Sequence, residues 1–351
     1  MRNLLIFLTL TLLLISCSEP QFPQTFTPLP KAVCEDLLWE SDKNIDTVIS
    51  LMQDAGVANI RLPVRWSMIE TEKEVYDWTK LDSIIQKLTA VHINITAQLL
   101  SVPSWANGKT QNPLSPLDWA DCYPPLNISD YTEFLSTAVE RYKDTIKEWI
   151  LFNEVNLDYF WRPHADPAEY VAYLKAGYNV IKGIDSSILV IAGALSGNGI
   201  EATEHYGNYL QDIYKFGAQG FYDVLAIHRY THPSQGISVL QEKINQTKAF
   251  MAEKADTASL WIDEIGWSVS PFAWNNPTVS DKDRSQWLIQ VYAELSGIDR
   301  VYWYGFKNKG INYLNTEHKG LFIRKLINNS QVIQCSVPVL LILILNELII
   351  Q

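Results

Sequence analysis

Three short runs in this chain place titratable residues directly behind apolar ones. They are Ile150-Leu151-Phe152-Asn153-Glu154, Ala226-Ile227-His228-Arg229-Tyr230 and Trp261-Ile262-Asp263-Glu264. A charged side chain at such a boundary is costly to bury unless it is paired or used. Two carboxyl groups on either side of one bond can cleave a glycosidic linkage. One protonates the leaving oxygen, and the other attacks the anomeric carbon or activates a water. Glu154 and Glu264 are the candidates. This chemistry needs no cofactor. The chain has no CxxC and no His/Cys cluster at ligand spacing, so no metal is expected either.

The elements that must position these residues follow from periodicity. Ile45, Val48, Ile49 and Met52 share one helix face, with Gly56 as its stop. Leu81 to Leu88 and Tyr131 to Tyr142 give two more amphipathic stripes. Asp166-Pro167-Ala168-Glu169 reads as a capping box with Pro at the first helical position. Between the helices lie short apolar runs at Ala58–Leu62, Ile93–Leu100, Glu148–Phe152, Ile188–Ala192, Asp223–Ile227, Ser259–Ile262 and Arg300–Tyr304. A weaker first strand falls near Leu29–Cys34. Near-continuous apolar strands, each followed by a helix, imply a parallel sheet buried on both faces. Eight such units predict an α/β fold, the (β/α)8 TIM barrel, whose strand C-termini converge on one pocket. A doubly wound sheet would need a Gly-rich phosphate turn after its first strand, and there is none.

On these residues the chain resembles glycoside hydrolase clan A, the retaining (β/α)8-barrel glycosidases, in its β-xylosidase-like or cellulase-like branch. The motifs are Asn153-Glu154, Glu264, Arg65-Trp66-Ser67-Met68-Ile69-Glu70, Tyr76-Asp77-Trp78 and Pro103-Ser104-Trp105-Ala106. They cover about residues 45 to 322. The resemblance implies Glu154 as acid/base and Glu264 as nucleophile. It also implies Asn153 on the sugar 2-hydroxyl, Arg61 supporting the nucleophile, His228 and Tyr230 beside it, and Trp303 beneath the sugar. For His228, Tyr230 and Trp303 the alternative is an ordinary buried role. Trp105, Trp119, Trp161, Trp267 and Trp274 are candidates to line further sugar sites.

Composition bounds the rest. The 351 residues are 47% hydrophobic and 19% charged, enough for a real core. A net charge of -11 with no basic stripe excludes nucleic acid as a partner. The 12 Trp and 17 Tyr suit the apolar faces of a carbohydrate. Arg2 and the apolar run Leu4–Ile15 read as a signal peptide over residues 1–16. Leu14-Ile15-Ser16-Cys17 resembles a bacterial lipobox, which implies lipidation at Cys17 and a membrane-anchored protein of the cell envelope. Residues 17–30 read as a tether, 31–325 as the barrel, and 326–351 as an atypical apolar tail. That tail is either truncated or frameshifted, leaving the eighth helix incomplete or aberrant, or a genuine buried segment. Cys34 and Cys122 either form a disulfide, which export permits, or remain thiols, with Cys335 left over. A monomer is expected. The leading expectation is a glycosidase acting on β-linked oligo- or polysaccharides. The alternatives are a catalytically silent glycan-binding barrel and a transglycosylase using the same residues.

Overall fold

The computed structural model describes residues 29–111, 119–200, 207–231, 235–267 and 279–306. The signal peptide, most of the tether, Cys17, Trp274, Cys335 and the apolar tail lie outside these residues.

Eight parallel strands close into a barrel in sequence order. They are β1 Ala32–Cys34, β2 Asn59–Arg65, β3 Asn94–Leu100, β4 Glu148–Leu151, β5 Leu189–Ser196, β6 Val224–His228, β7 Ser259–Ile265 and β8 Arg300–Tyr304. The helices are α1 Asp42–Asp54, α2 Trp66–Ile69, α3 Thr79–Ala90, α4 Ser104–Asn107, α5 Ile128–Tyr142, α6 Pro167–Ile184, α7 Tyr209–Lys215, α8 Gly236–Glu253 and α9 Asp281–Glu294. Closure rests on the three-residue β1, which pairs Ala32 with Asn59 on one side and with Tyr302 on the other. The expected (β/α)8 barrel is therefore the fold observed.

Alternation along the strands separates two cores. Ala32, Cys34, Ile150, Ile191, Ala226, Trp261 and Tyr302 fill the barrel interior. Residues of opposite parity, such as Ile60, Leu99, Leu151, Leu225 and Trp303, pack outward against the helices. The amphipathic stripes read from the sequence are the buried faces: Ile45, Val48, Ile49 and Met52 on α1, and Tyr131, Phe134, Leu135, Ala138, Val139 and Tyr142 on α5.

One expectation changes, one open alternative is decided, and two short helices are added. Asp166 does cap α6, accepting from Ala168 N and Glu169 N, but the box is not reciprocal. Glu169 instead accepts from Trp161 Nε1 at 2.7 Å, which draws the loop after β4 onto the helix. Cys34 and Cys122 are not joined to each other. The Cys34 thiol lies inside the barrel and donates to the Asp263 carbonyl at 3.2 Å, whereas Cys122 belongs to the loop after β3. The short helices α2 and α4, one turn each, carried no periodic signal that could have revealed them.

Candidate active site

The residues after β4 adopt an unusual backbone. Phe152 has φ 73° and Glu154 φ 43°, in the left-handed region that L side chains rarely adopt. Such strain persists only where the surroundings over-determine it, and it clusters at functional sites. Here the Phe152 ring is wedged among Tyr131, Trp161 and Tyr173. The Glu154 amide donates to the Ala194 carbonyl of β5 at 2.9 Å. The turn thus aims the Glu154 side chain at the mouth and leaves its carboxyl partly exposed.

Glu264 faces it from β7. Arg61 Nη2 donates to Glu264 Oε2 at 2.6 Å, and the Tyr230 hydroxyl donates to Glu264 Oε1. Burial, and then the Glu264 charge, push the Tyr230 phenol well above its ordinary value, so it remains a donor. Arg61 pairs a second time, its Nη1 donating to Asp263 Oδ2 at 3.2 Å. Arg61, His228 and Asp263 are at most 4% exposed.

His228 joins the two carboxyl groups. Its Nδ1 lies 2.9 Å from Glu154 Oε1 and 3.6 Å from Glu264 Oε2. Its Nε2 lies 3.1 Å from Arg61 Nη1, which can only donate, and 3.4 Å from Asp263 Oδ1. Arg61 Nη1 carries two hydrogens, one of which Asp263 Oδ2 accepts, and the negative charge of Asp263 lies beside the Nε2 side of the ring. Burial opposes a charged imidazole, but the charges of Glu264 and Asp263, with the bonds to Asp263 and Glu154, outweigh it. The balance raises His228 from 6.5 to about 10, so the ring carries both protons at neutral pH.

Asn153 is held by Gln98, whose Nε2 donates to Asn153 Oδ1 at 2.8 Å. The structure therefore brings Glu154, Glu264, Arg61, Asn153, His228 and Tyr230 together at the strand C-termini. It does not bring Trp303. Tyr302 and Tyr304 point inward from β8, and Trp303, of opposite parity, is fully buried against Trp267 with ring centroids 5.6 Å apart. Trp303 is thus corrected from a sugar platform to an outer-core residue. Trp161 and Trp267 are likewise buried, and Trp105 is tied to the Glu70 carbonyl, leaving Trp119 exposed beside the cleft. Asp263 and Gln98 were not anticipated. The available signal was polarity alone: both are polar residues within otherwise largely apolar strands.

The comparisons bear on the fold and the family. The profile described as Beta-galactosidase matches residues 38–115. A family 39 glycoside hydrolase from the gut symbiont Bacteroides cellulosilyticus is similar in structure at 22% identity, covering 84% of this chain and 60% of that one, with a TM-score of 0.61. Two β-xylosidase structures from Caulobacter crescentus are similar too. One has 18% identity, 80% and 64% coverage and a TM-score of 0.60; the other has 16%, 85% and 66%, and 0.62. The chain spans less than two thirds of the length of each, and at these identities the likeness shows the fold. The profile described as Glycosyl hydrolase catalytic core matches residues 112–324, more than half of the sequence, and so the chain belongs to that family.

Proposed function

We propose that this protein is a retaining glycosidase acting on β-linked oligo- or polysaccharides by double displacement. The observation that carries the reading is the convergence of two carboxyl groups on one imidazole nitrogen. Glu154 Oε1 and Glu264 Oε2 can be no farther apart than their 2.9 and 3.6 Å contacts with His228 Nδ1 placed end to end. Retention asks for a separation of about 5–5.5 Å, whereas inversion needs roughly 6.5–9.5 Å to admit a water. The bound favours direct attack.

In the first step a Glu264 oxygen attacks the anomeric carbon. The bond to the glycosidic oxygen breaks, and that oxygen takes a proton from Glu154. His228 Nδ1–H occupies Glu154 Oε1, so Oε2 carries that proton. Arg61 and Tyr230 hold the Glu264 carboxylate ionised and oriented until it forms the glycosyl ester. In the second step water attacks the same carbon, gives its proton to Glu154, and Glu264 leaves as carboxylate. We further propose export to the cell envelope and anchoring through Cys17, a reading that rests on the N-terminal sequence alone.

The test is hydrolysis of a panel of β-glycans and aryl β-glycosides by wild type, Glu154→Gln and Glu264→Gln, with the first-formed anomer read by NMR. The expected outcome is activity on one sugar class, the β-anomer first, and at least a thousandfold loss in each variant. The α-anomer first would overturn the double displacement. A folded wild type that binds glycans without cleaving any would make the protein a binding barrel. Membrane association lost in Cys17→Ala would support the anchor.

A further inference from the structure

We infer that Trp119, Tyr159 and Phe160 form a binding subsite for a sugar on the leaving-group side of the cleaved bond. The inference rests on the acid/base role proposed for Glu154. Trp119 and Tyr159 are 37% and 48% exposed, unusual for large rings. Their centroids lie 6.3 Å apart, and Trp119 lies 5.5 Å from Phe160. Phe160 and Asn153 line one cleft together with Ser101 and Tyr123. Phe160 therefore joins the aromatic group to a cleft that reaches Asn153, the neighbour of Glu154.

Its position fixes which sugar it meets. Glu154 delivers its proton to the leaving oxygen, so the leaving group lies on the Glu154 side of the bond. The chain turns straight from Glu154 to the aromatic group, with Leu157 N donating to Glu154 O at 2.8 Å and Phe160 N to Leu157 O at 3.0 Å. The loop after β3, which carries Trp119, is fastened alongside. Val102 N donates to Asp121 O at 2.9 Å, and Arg162 N donates to Cys122 O at 3.2 Å. The Arg162–Cys122 bond ties the two loops together, and between them they present the exposed rings of Trp119 and Tyr159. A flat ring surface next to a proton donor suits the C–H face of a pyranose. Occupancy of this subsite would make a second sugar, not an alkyl or aryl group, the preferred leaving group, and in the second step the preferred competitor of water.

The experiment uses the full chain and compares Trp119→Ala and Tyr159→Ala with wild type on two substrate kinds. One is a β-linked oligosaccharide series of two to five units. The other is the matching glycosyl fluoride, whose one-atom leaving group cannot reach the rings. The expected result is a roughly tenfold or greater fall in kcat/KM on the oligosaccharides, with the fluoride within about twofold of wild type. Equal losses on both substrates, or no loss on either, would overturn the subsite while leaving the glycosidase reading intact. Oligosaccharide binding to Glu154→Gln, followed by tryptophan fluorescence with and without Trp119→Ala, tests the subsite without turnover. Binding unchanged by the second substitution would overturn it. Absence of any glycan binding and of any hydrolysis would remove both proposals together.

Discussion

Asp263 sits where three charged groups must be reconciled. It is fully buried, and it contacts Arg61 at 3.2 Å and His228 at 3.4 Å. It touches neither the expected site of bond cleavage nor Glu154, so its role is to position. Asp263→Asn keeps the shape and deletes the charge. Arg61 then has Glu264 as its remaining carboxylate partner in this cluster, and His228 faces one negative neighbour fewer. The expected outcome is a fall in kcat/KM of about tenfold, with the alkaline limb of the pH profile moved to lower pH as His228 loses its second proton earlier. Unfolding in urea should show a loss of about 3 kcal/mol, because a buried charge is left partly uncompensated. A variant with lower stability but an unmoved pH profile would reduce Asp263 to a structural role. His228 makes a separate prediction through linkage. Its folded-state value of about 10 lies above 6.5, so the protonated ring stabilises the fold fully below pH 6.5. That contribution is lost progressively as pH rises to about 10. The groups facing the ring are Arg61 from β2, Glu154 after β4, and Asp263 and Glu264 from β7. Melting curves from pH 6 to 10 should show wild type losing stability relative to His228→Gln across that window. A constant difference would mean that folding does not raise the affinity of the ring for its second proton.

At the scale of elements, what the sequence disclosed and what it hid have one physical cause. Strand ends were legible because a carboxylate behind an apolar run is conspicuous, which picked out Glu154 and Glu264. Helix faces were legible because one side of each helix meets water. Strand facing was not, because parallel barrel strands are buried on both sides and carry no apolar–polar alternation. Val301, Tyr302, Trp303 and Tyr304 therefore looked equivalent, and Trp303 was assigned inward when Tyr302 and Tyr304 take that side. Gly177 on α6 is a comparable case. It resembles a flaw in a helix, yet a Cβ there would collide with the Tyr131 hydroxyl on α5 and lie 2.8 Å from Leu151 Cδ1 on β4. Gly177→Ala should gain about 1 kcal/mol in helix propensity. It should lose about 1–3 kcal/mol to overpacking against parts that cannot retreat. The expected result is net destabilisation in chemical denaturation. Because Leu151 is the last residue of β4, three residues before Glu154, kcat/KM should also fall. A more stable Gly177→Ala protein would show that α6 can move off the barrel freely.

Across the whole molecule, the two ends of the barrel divide the work. The C-terminal end holds the carboxylates, and the opposite end holds a charged plug. Glu148 opens β4 and Arg300 opens β8, and Arg300 Nη1 donates to Glu148 Oε2 at 2.5 Å. Thr96 of β3 donates to the same carboxylate oxygen and shares a 2.6 Å hydrogen bond with Tyr302 of β8. The Arg300 guanidinium also lies 4.2 Å over the Trp261 ring of β7. Four strands are thus pinned across the barrel by one cluster far from the mouth. In this fold the bottom face serves stability and the top face chemistry. Glu148→Gln leaves Arg300 without its carboxylate partner in this cluster. Both side chains keep some solvent contact, at 15% and 19% exposure, so the cost should fall below that of a fully buried pair. A loss of about 2 kcal/mol is expected, lowering Tm by roughly 3 °C in a protein of this size. At 25 °C, where the variant remains folded, kcat/KM should stay within about twofold of wild type. A variant that keeps its Tm but loses activity would break the division, because the plug would then be setting the geometry of the mouth through the strands. The predicted pattern is the reverse: thermal stability lost at one end of the strands, with the pairing of Glu154 and Glu264 preserved at the other.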